Sequence, residues 1–173
     1  MDSTGPLSQN LAYAFGGAIS APSANLSGHV SPTSAQHVME DFAGEEAKHI
    51  ELFKRFRKDF LDFFGSHCDV IGPPEVIART ILAKHPLAIA LVILHIEWMT
   101  QRHFQDSVLE DGSLDPQFKS LLRHHWMEEA QHAKLDTLMV QALAEACTPA
   151  ERAAAIDGYL EFGMLLDGGL MQQ

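Results

Sequence analysis

The residues whose types and spacing could do chemistry are concentrated between positions 115 and 146, in the pattern His-x-x-x-Glu-x-x-His. Side chains separated by four and seven residues lie on the same face of an α-helix. His125, Glu129 and His132 would therefore point together into a core. Burying three polar groups is costly unless each of them finds a partner. A metal ion could be the partner of all three, whereas satisfied core or interface histidines are the plainer alternative.

These three residues belong to a longer stripe of core positions. The stripe advances in steps of four and three, through Phe118, Leu122, His125, Glu129, His132, Asp136, Met139 and Leu143. Its two ends are apolar and its middle is not, which indicates that the polar side chains share one buried place. Asp136 could be a further ligand there, or the hydrogen-bond partner of an imidazole. His124 and Glu128 are expected to face elsewhere on the helix.

Two further segments supply similar groups. Glu46 and His49 form a Glu-x-x-His pair, which would otherwise be an ordinary solvated helix turn. Glu97 follows the apolar run from Leu87 to Leu94 and is expected to be at least half buried, with a helix-end salt bridge as its alternative role. Inward-facing Glu and Glu-x-x-His groups on facing helices are how bundles build carboxylate-bridged two-metal sites. Carboxylate and imidazole donors without thiolate suit iron or manganese better than structural zinc.

Helices are expected to position these groups, because apolar residues recur at three- and four-residue steps and no long segment alternates with period two. Asp115 with Pro116, and Thr148 with Pro149, are N-cap signatures. Along the first long helix an apolar stripe runs through Ile50, Phe53, Phe56, Phe60 and Phe63 or Phe64. The predicted fold class is all-α, an antiparallel four-helix bundle. The predicted long helices span 34–64, 86–110, 115–146 and 149–170, with a short helix over 75–83.

Composition limits the function classes. The chain has 173 residues, with 12 Lys and Arg against 23 Asp and Glu, and a formal net charge of −11. This balance argues against a nucleic-acid clamp and against an anionic membrane surface as partner. Two cysteines 79 residues apart form no CxxC pair, which favours a reducing compartment. Without a visible targeting signal, we expect a cytoplasmic protein with no membrane contact.

From about residue 44 to 173 the chain resembles the ferritin-like diiron-carboxylate superfamily, so a ferritin-like bundle is expected. The His125/Glu129/His132 triple is closer to its para-aminobenzoate N-oxygenase-like branch. The resemblance implies two metal ions that activate O₂ to oxidise a small organic substrate. By position it implies six metal ligands: Glu46, His49, Glu97, His125, Glu129 and His132.

One part of that family's pattern is missing. The family takes another carboxylate from a helix that precedes the first Glu-x-x-His, and before Glu40 the only acidic residue here is Asp2. Glu40 and Glu45 lie in the same predicted helix as Glu46, so we expect neither to replace a ligand from a separate helix. The bundle over 34–173 is therefore expected to be incomplete relative to the family, with one metal position weaker than the other.

The first 33 residues are predicted to form an irregular segment. The chain contains Ala21-Pro22-Ser23-Ala24-Asn25-Leu26-Ser27-Gly28, followed by Ser31-Pro32-Thr33-Ser34-Ala35-Gln36-His37-Val38. In these motifs residues 11–43 resemble a fragment of threonylcarbamoyl-AMP synthase, which continues into the first helix to about 43. In that family the Ser-x-Asn pair, here Ser23 and Asn25, contacts nucleotide. Because no Lys or Arg precedes Lys48, the basic half of the synthase site is absent, and catalysis by this fragment is not expected.

The leading functional hypothesis is a dimetal oxidase or oxygenase. Its cofactor would be two iron ions, or manganese, and its partners O₂, an electron donor and a small-molecule substrate. No catalytic residue beyond the metal ligands is proposed, and a homodimer is compatible with the bundle. The alternatives are a ferritin-like metal-binding or storage bundle without an organic substrate, a nucleotide-binding tRNA-modification fragment, and a degenerate bundle without metal.

Overall fold

The computed structural model describes residues 35–67 and 72–170, and all regular structure within these ranges is helical. The prediction of an all-α protein is confirmed. The five helices are α1 (Ala35–Phe64), α2 (Pro74–Leu82), α3 (Pro86–His103), α4 (Pro116–Ala146) and α5 (Pro149–Leu170). The predicted irregular segment over 1–33, with Ser23 and Asn25, lies outside the described residues.

The helix ends are set by local hydrogen bonds that the sequence encodes. The Asp115 carboxylate accepts hydrogen bonds from the backbone N–H groups of Gln117 and Phe118, both at 2.9 Å, and thereby starts α4. Thr148 and Glu151 cap α5 reciprocally, because each side chain accepts the other's backbone N–H, at 2.8 and 3.3 Å. Gly65, at φ +66°, closes α1 with a left-handed turn that favours glycine.

The closest packing in the described chain joins α3 to α4 and α5. Leu87 and Ala88 of α3 and Ala155 of α5 form a buried cluster, and partly buried α4 residues such as Val140 and Leu143 pack against it. The small side chains allow the helices to approach closely. A Cβ placed on Gly158 of α5 would lie only 3.3 Å from the Cβ of Ala88. This contact fixes the orientation of α3 and therefore of Glu97.

Side-chain contacts join α1 to α4. Phe56 stacks on Phe118, with ring centroids 4.6 Å apart, and Phe53 meets the ring of His125 edge-on at 5.0 Å. The two ends of the predicted apolar stripe are not buried: Ile50, Phe63 and Phe64 are 56%, 82% and 63% exposed. Among the described residues, nothing covers these ends.

The predicted helix over 86–110 changes type near its end. The α-helix stops at His103, and a five-residue π-helix, Phe104–Val108, continues it. The wider π turn buries both Phe104 and Val108, and Phe104 stacks on Trp126 of α4 at 4.8 Å. Gln101 also donates a 2.8 Å hydrogen bond to the backbone carbonyl of Trp126. These contacts hold α3 and α4 together beside His125.

None of the described helices combines the length and apolarity needed to cross a bilayer.

Ala155 has no exposed surface, so enlarging it tests the packing of α3 against α5. Ala155→Leu should destabilise the protein by about 1–3 kcal/mol, because the added atoms overpack a closed contact. Urea unfolding followed by circular dichroism measures the change. The matched control is Ala154→Leu on the exposed side of α5, which should alter stability by less than about 0.5 kcal/mol. Equal effects of the two variants would contradict this packing.

Candidate metal centre

The Glu129 carboxylate lies at the centre of a group of imidazole rings. Glu129 is 3% exposed. Its Oε1 lies 2.7 Å from Nε2 of His125 and 3.0 Å from Nδ1 of His49, and its Oε2 lies 2.6 Å from Nδ1 of His132. Two of these histidines share α4 with Glu129, and His49 comes from α1. The polar residues in the middle of the predicted α4 stripe therefore face α1.

Glu46 completes an inner group of four residues. Its Oε1 lies 2.8 Å from Nδ1 of His132, and its Oε2 lies 3.9 Å from Nδ1 of His49. One donor atom from each of Glu46, His49, Glu129 and His132 lies within 4.8 Å of the other three. Two carboxylates and two imidazoles at this spacing could hold a metal ion.

The outer nitrogens of the two inner histidines are held by two further carboxylates. Nε2 of His49 lies 2.7 Å from Glu128 Oε2, and Nε2 of His132 lies 3.0 Å from Glu45 Oε2. An acceptor at one ring nitrogen fixes the proton there and leaves the other nitrogen's lone pair for a ligand. Because Nδ1 of both rings faces the centre, each ring would present a lone pair inward once the proton on that nitrogen has left.

Glu128 corrects one expectation. It was expected to face away from the site, yet it crosses to His49, because α1 packs beside that flank of α4. Glu45 was expected not to replace a ligand from a separate helix; it reaches the outer nitrogen of His132, a role that the sequence analysis did not assign. His124 does face elsewhere, since its ring bonds to the carbonyl of Ser120. A signal was present in the sequence: both helices contain Glu-Glu-Ala-x-His, at 45–49 and at 128–132.

The other two predicted ligands, His125 and Glu97, lie next to Glu129. His125 is half-buried, and its ring meets that of His49 edge-on, with centroids 4.6 Å apart. Glu97 is 6% exposed, and the neighbouring Glu129 helps to raise the pKa of its carboxyl group. The structure thus brings all six predicted residues together, four in the inner group and two beside Glu129.

Burial and mutual contacts shift the pKa values strongly. Burial raises the pKa of Glu97 to about 9, and the neighbouring Glu129 adds to this effect. Burial would raise the pKa of Glu129 as well, but close contacts with His125, His132 and His49 hold it far below its usual range. Burial would lower the pKa of His132, but contacts with Glu129, Glu46 and Glu45 raise it to about 11. A proton on His132 therefore helps to balance the buried charge of Glu129.

Several buried polar atoms in this part of the chain have no hydrogen-bond partner. They are Oε1 of Glu46, Nδ1 of His49, Nε1 of Trp126 and both carboxylate oxygens of Asp136. Oε1 of Glu46 and Nδ1 of His49 lie close to inner-group atoms, but without the alignment of a hydrogen bond. Buried polar atoms usually have a partner, so a cation at the centre of the inner group fits the Glu46 and His49 atoms.

Comparison with protein-family models, with curated proteins and with solved structures found no match. The helical fold and the Glu/His cluster are compatible with a diiron-carboxylate site. Membership of the ferritin-like superfamily stays a prediction.

Asp136 should make the stability of the metal-free protein depend on pH. Burial raises its pKa from 3.8 to about 7, so the folded chain binds this proton more tightly than the unfolded chain does. The free energy of unfolding therefore falls as pH rises from about 4 to about 7. In metal-free protein, Asp136→Asn should be more stable than the parent at pH 8, with a smaller difference toward pH 4. Urea unfolding checks this, and a difference that is constant across pH would contradict it. Asp157→Asn, on the exposed side of α5, is the control.

Proposed function

We propose that this protein is a dimetal oxidase or oxygenase that uses two iron ions, or manganese, and O₂ to oxidise a small organic molecule. The observation that carries the proposal is the orientation of His49 and His132. Both rings turn Nδ1 toward Glu129 and Glu46, while Glu128 and Glu45 hold the two Nε2 atoms. Metal-ligating histidines are oriented in this way by carboxylates behind them.

The donor set supports the choice of metal. Within the described residues, the inner group contains carboxylate oxygens and imidazole nitrogens but no thiolate, a combination that suits iron or manganese. The inner group supplies donors for one ion. His125 and Glu97 lie beside Glu129 and would offer further donors for a second ion. Bundle sites that hold two ions typically use inward-facing carboxylates and histidines of this kind.

The ions would supply the binding and reduction of O₂, and the chain's own residues would hold them and manage protons. Glu128 and Glu45 keep a proton on Nε2 of their histidines. Protons on the inner nitrogens, and the proton on Glu97, must leave when cations enter. Apparent metal affinity should therefore rise with pH.

The substrate, the electron donor, the cytoplasmic setting and a homodimeric assembly belong to the proposal. An apolar groove of about 210 Å³ lies between α3 and α5, and none of its lining residues is in the Glu/His cluster. The experiment must therefore distinguish the oxidase or oxygenase from a storage bundle without an organic substrate.

The experiment loads purified protein with iron(II) without oxygen, measures bound metal, and then follows O₂ consumption with a reductant. The parent should bind about two ions per chain, as expected for a two-metal site, and consume O₂ repeatedly while reductant lasts. His132→Ala and Glu129→Ala should each remove most of the bound iron. His124→Ala is the matched control, because His124 neighbours His125 but bonds to Ser120, and it should keep the parent's iron.

Three outcomes would contradict the proposal. The first is no iron bound by the parent, and the second is full iron retained by His132→Ala. The third is accumulation of many ions per chain, with O₂ consumed only in proportion to the iron added, which would indicate storage.

A further inference from the structure

Asp136 is the most deeply buried charged residue of the described chain and the one with least explanation. It has no exposed surface, and neither carboxylate oxygen has a hydrogen-bond partner among the described residues. His125, Glu129 and His132, the other polar members of the α4 stripe, all have partners. A buried carboxylate without donors is strongly unfavourable, so a partner for Asp136 is to be expected.

The position of Asp136 directs it toward the inner group. It lies one helical turn after His132, and side chains on an α-helix lean toward the helix N-terminus. Its carboxylate therefore leans toward His132. The charges of His132, Glu46 and Glu129 also act on the pKa of Asp136, as they would on a carboxyl group near the inner group.

A hydrogen bond from His132 does not supply the partner. Nδ1 of His132 lies 2.6 Å from Glu129 and 2.8 Å from Glu46, and its Nε2 lies 3.0 Å from Glu45. Both ring nitrogens are thus occupied by other carboxylates. With the imidazole excluded, a cation is the chemical partner that a desolvated carboxylate beside two other carboxylates would accept.

We infer that Asp136 is a further carboxylate ligand of the metal centre, which binds the cation held by His132. It would take the part of the carboxylate that the resembled family obtains from an upstream helix. The inference rests on the proposed metal centre. It assigns the acidic ligands of the centre to α1, α3 and α4 alone.

Replacing Asp136 by cysteine tests direct coordination. A thiolate bound to cobalt(II) gives an intense charge-transfer band in the near ultraviolet, which oxygen and nitrogen ligands do not give. The chain is titrated with cobalt(II) under anaerobic, reducing conditions. Asp136→Cys should develop this band in proportion to bound metal. The parent, which contains Cys68 and Cys147, and the matched control Ala142→Cys, at another buried position on α4, should not.

Asp136→Asn provides the second measurement and decides the question if the cysteine variant does not fold. The amide keeps the shape but loses the charge and the stronger donor, so affinity for one cobalt ion should fall at least tenfold. Asp136→Glu should bind metal with an altered visible cobalt spectrum. If the parent binds no cobalt, the proposed metal centre itself fails. If the parent binds cobalt while Asp136→Cys shows no band, or while Asp136→Asn keeps the parent's affinity, only the role of Asp136 is overturned. That result would point to a partner elsewhere in the chain.

Discussion

The buried carboxylate of Glu129 is the group on which the rest of this structure depends. An ionised carboxylate that is 3% exposed cannot persist in a protein interior without compensation. Here His49, His125 and His132 supply it, each with a nitrogen within 3.0 Å. Because His49 belongs to α1, the same contacts that neutralise Glu129 also attach α1 to α4. The contacts that form the site are thus also contacts that hold α1 on α4.

The two helices that meet at Glu129 contribute in a reciprocal way. In each, a Glu-Glu-Ala-x-His segment places its second Glu and its His in the inner group, while its first Glu holds the histidine of the other helix. Glu45 of α1 thereby orients His132 of α4, and Glu128 of α4 orients His49 of α1. This exchange makes the orientation of each ring depend on how the helices pack. A shift of α1 would release both imidazoles together.

Periodicity and capping predicted the helices well, together with the four residues of the inner group, because both depend on local spacing along one chain segment. The Asp115 and Thr148 caps, and the stripe through His125, Glu129 and His132, are of this kind. The roles of Glu45 and Glu128 depend on which side of each helix faces the other helix. Hydrophobic periodicity does not specify how two helices are rotated relative to each other. For the same reason the exposed ends of the α1 stripe, Phe63 and Phe64, could not be distinguished in sequence from Phe56, which stacks on Phe118. The π-helix after His103 accompanies the packing of Phe104 on Trp126, and no local sequence pattern predicts that contact.

The central claim is that the inner group binds metal through the Nδ1 atoms of His49 and His132. The most direct measurement is anomalous diffraction from crystals of the protein loaded with manganese(II). We expect an anomalous peak bonded to both Nδ1 atoms and to a Glu129 oxygen, with Glu128 and Glu45 still at Nε2. A second peak is expected beyond Glu129, ~3.5–4 Å away as in other two-metal sites. Absence of a peak at the inner group, or metal bound through Nε2 with Glu45 and Glu128 displaced, would contradict the account.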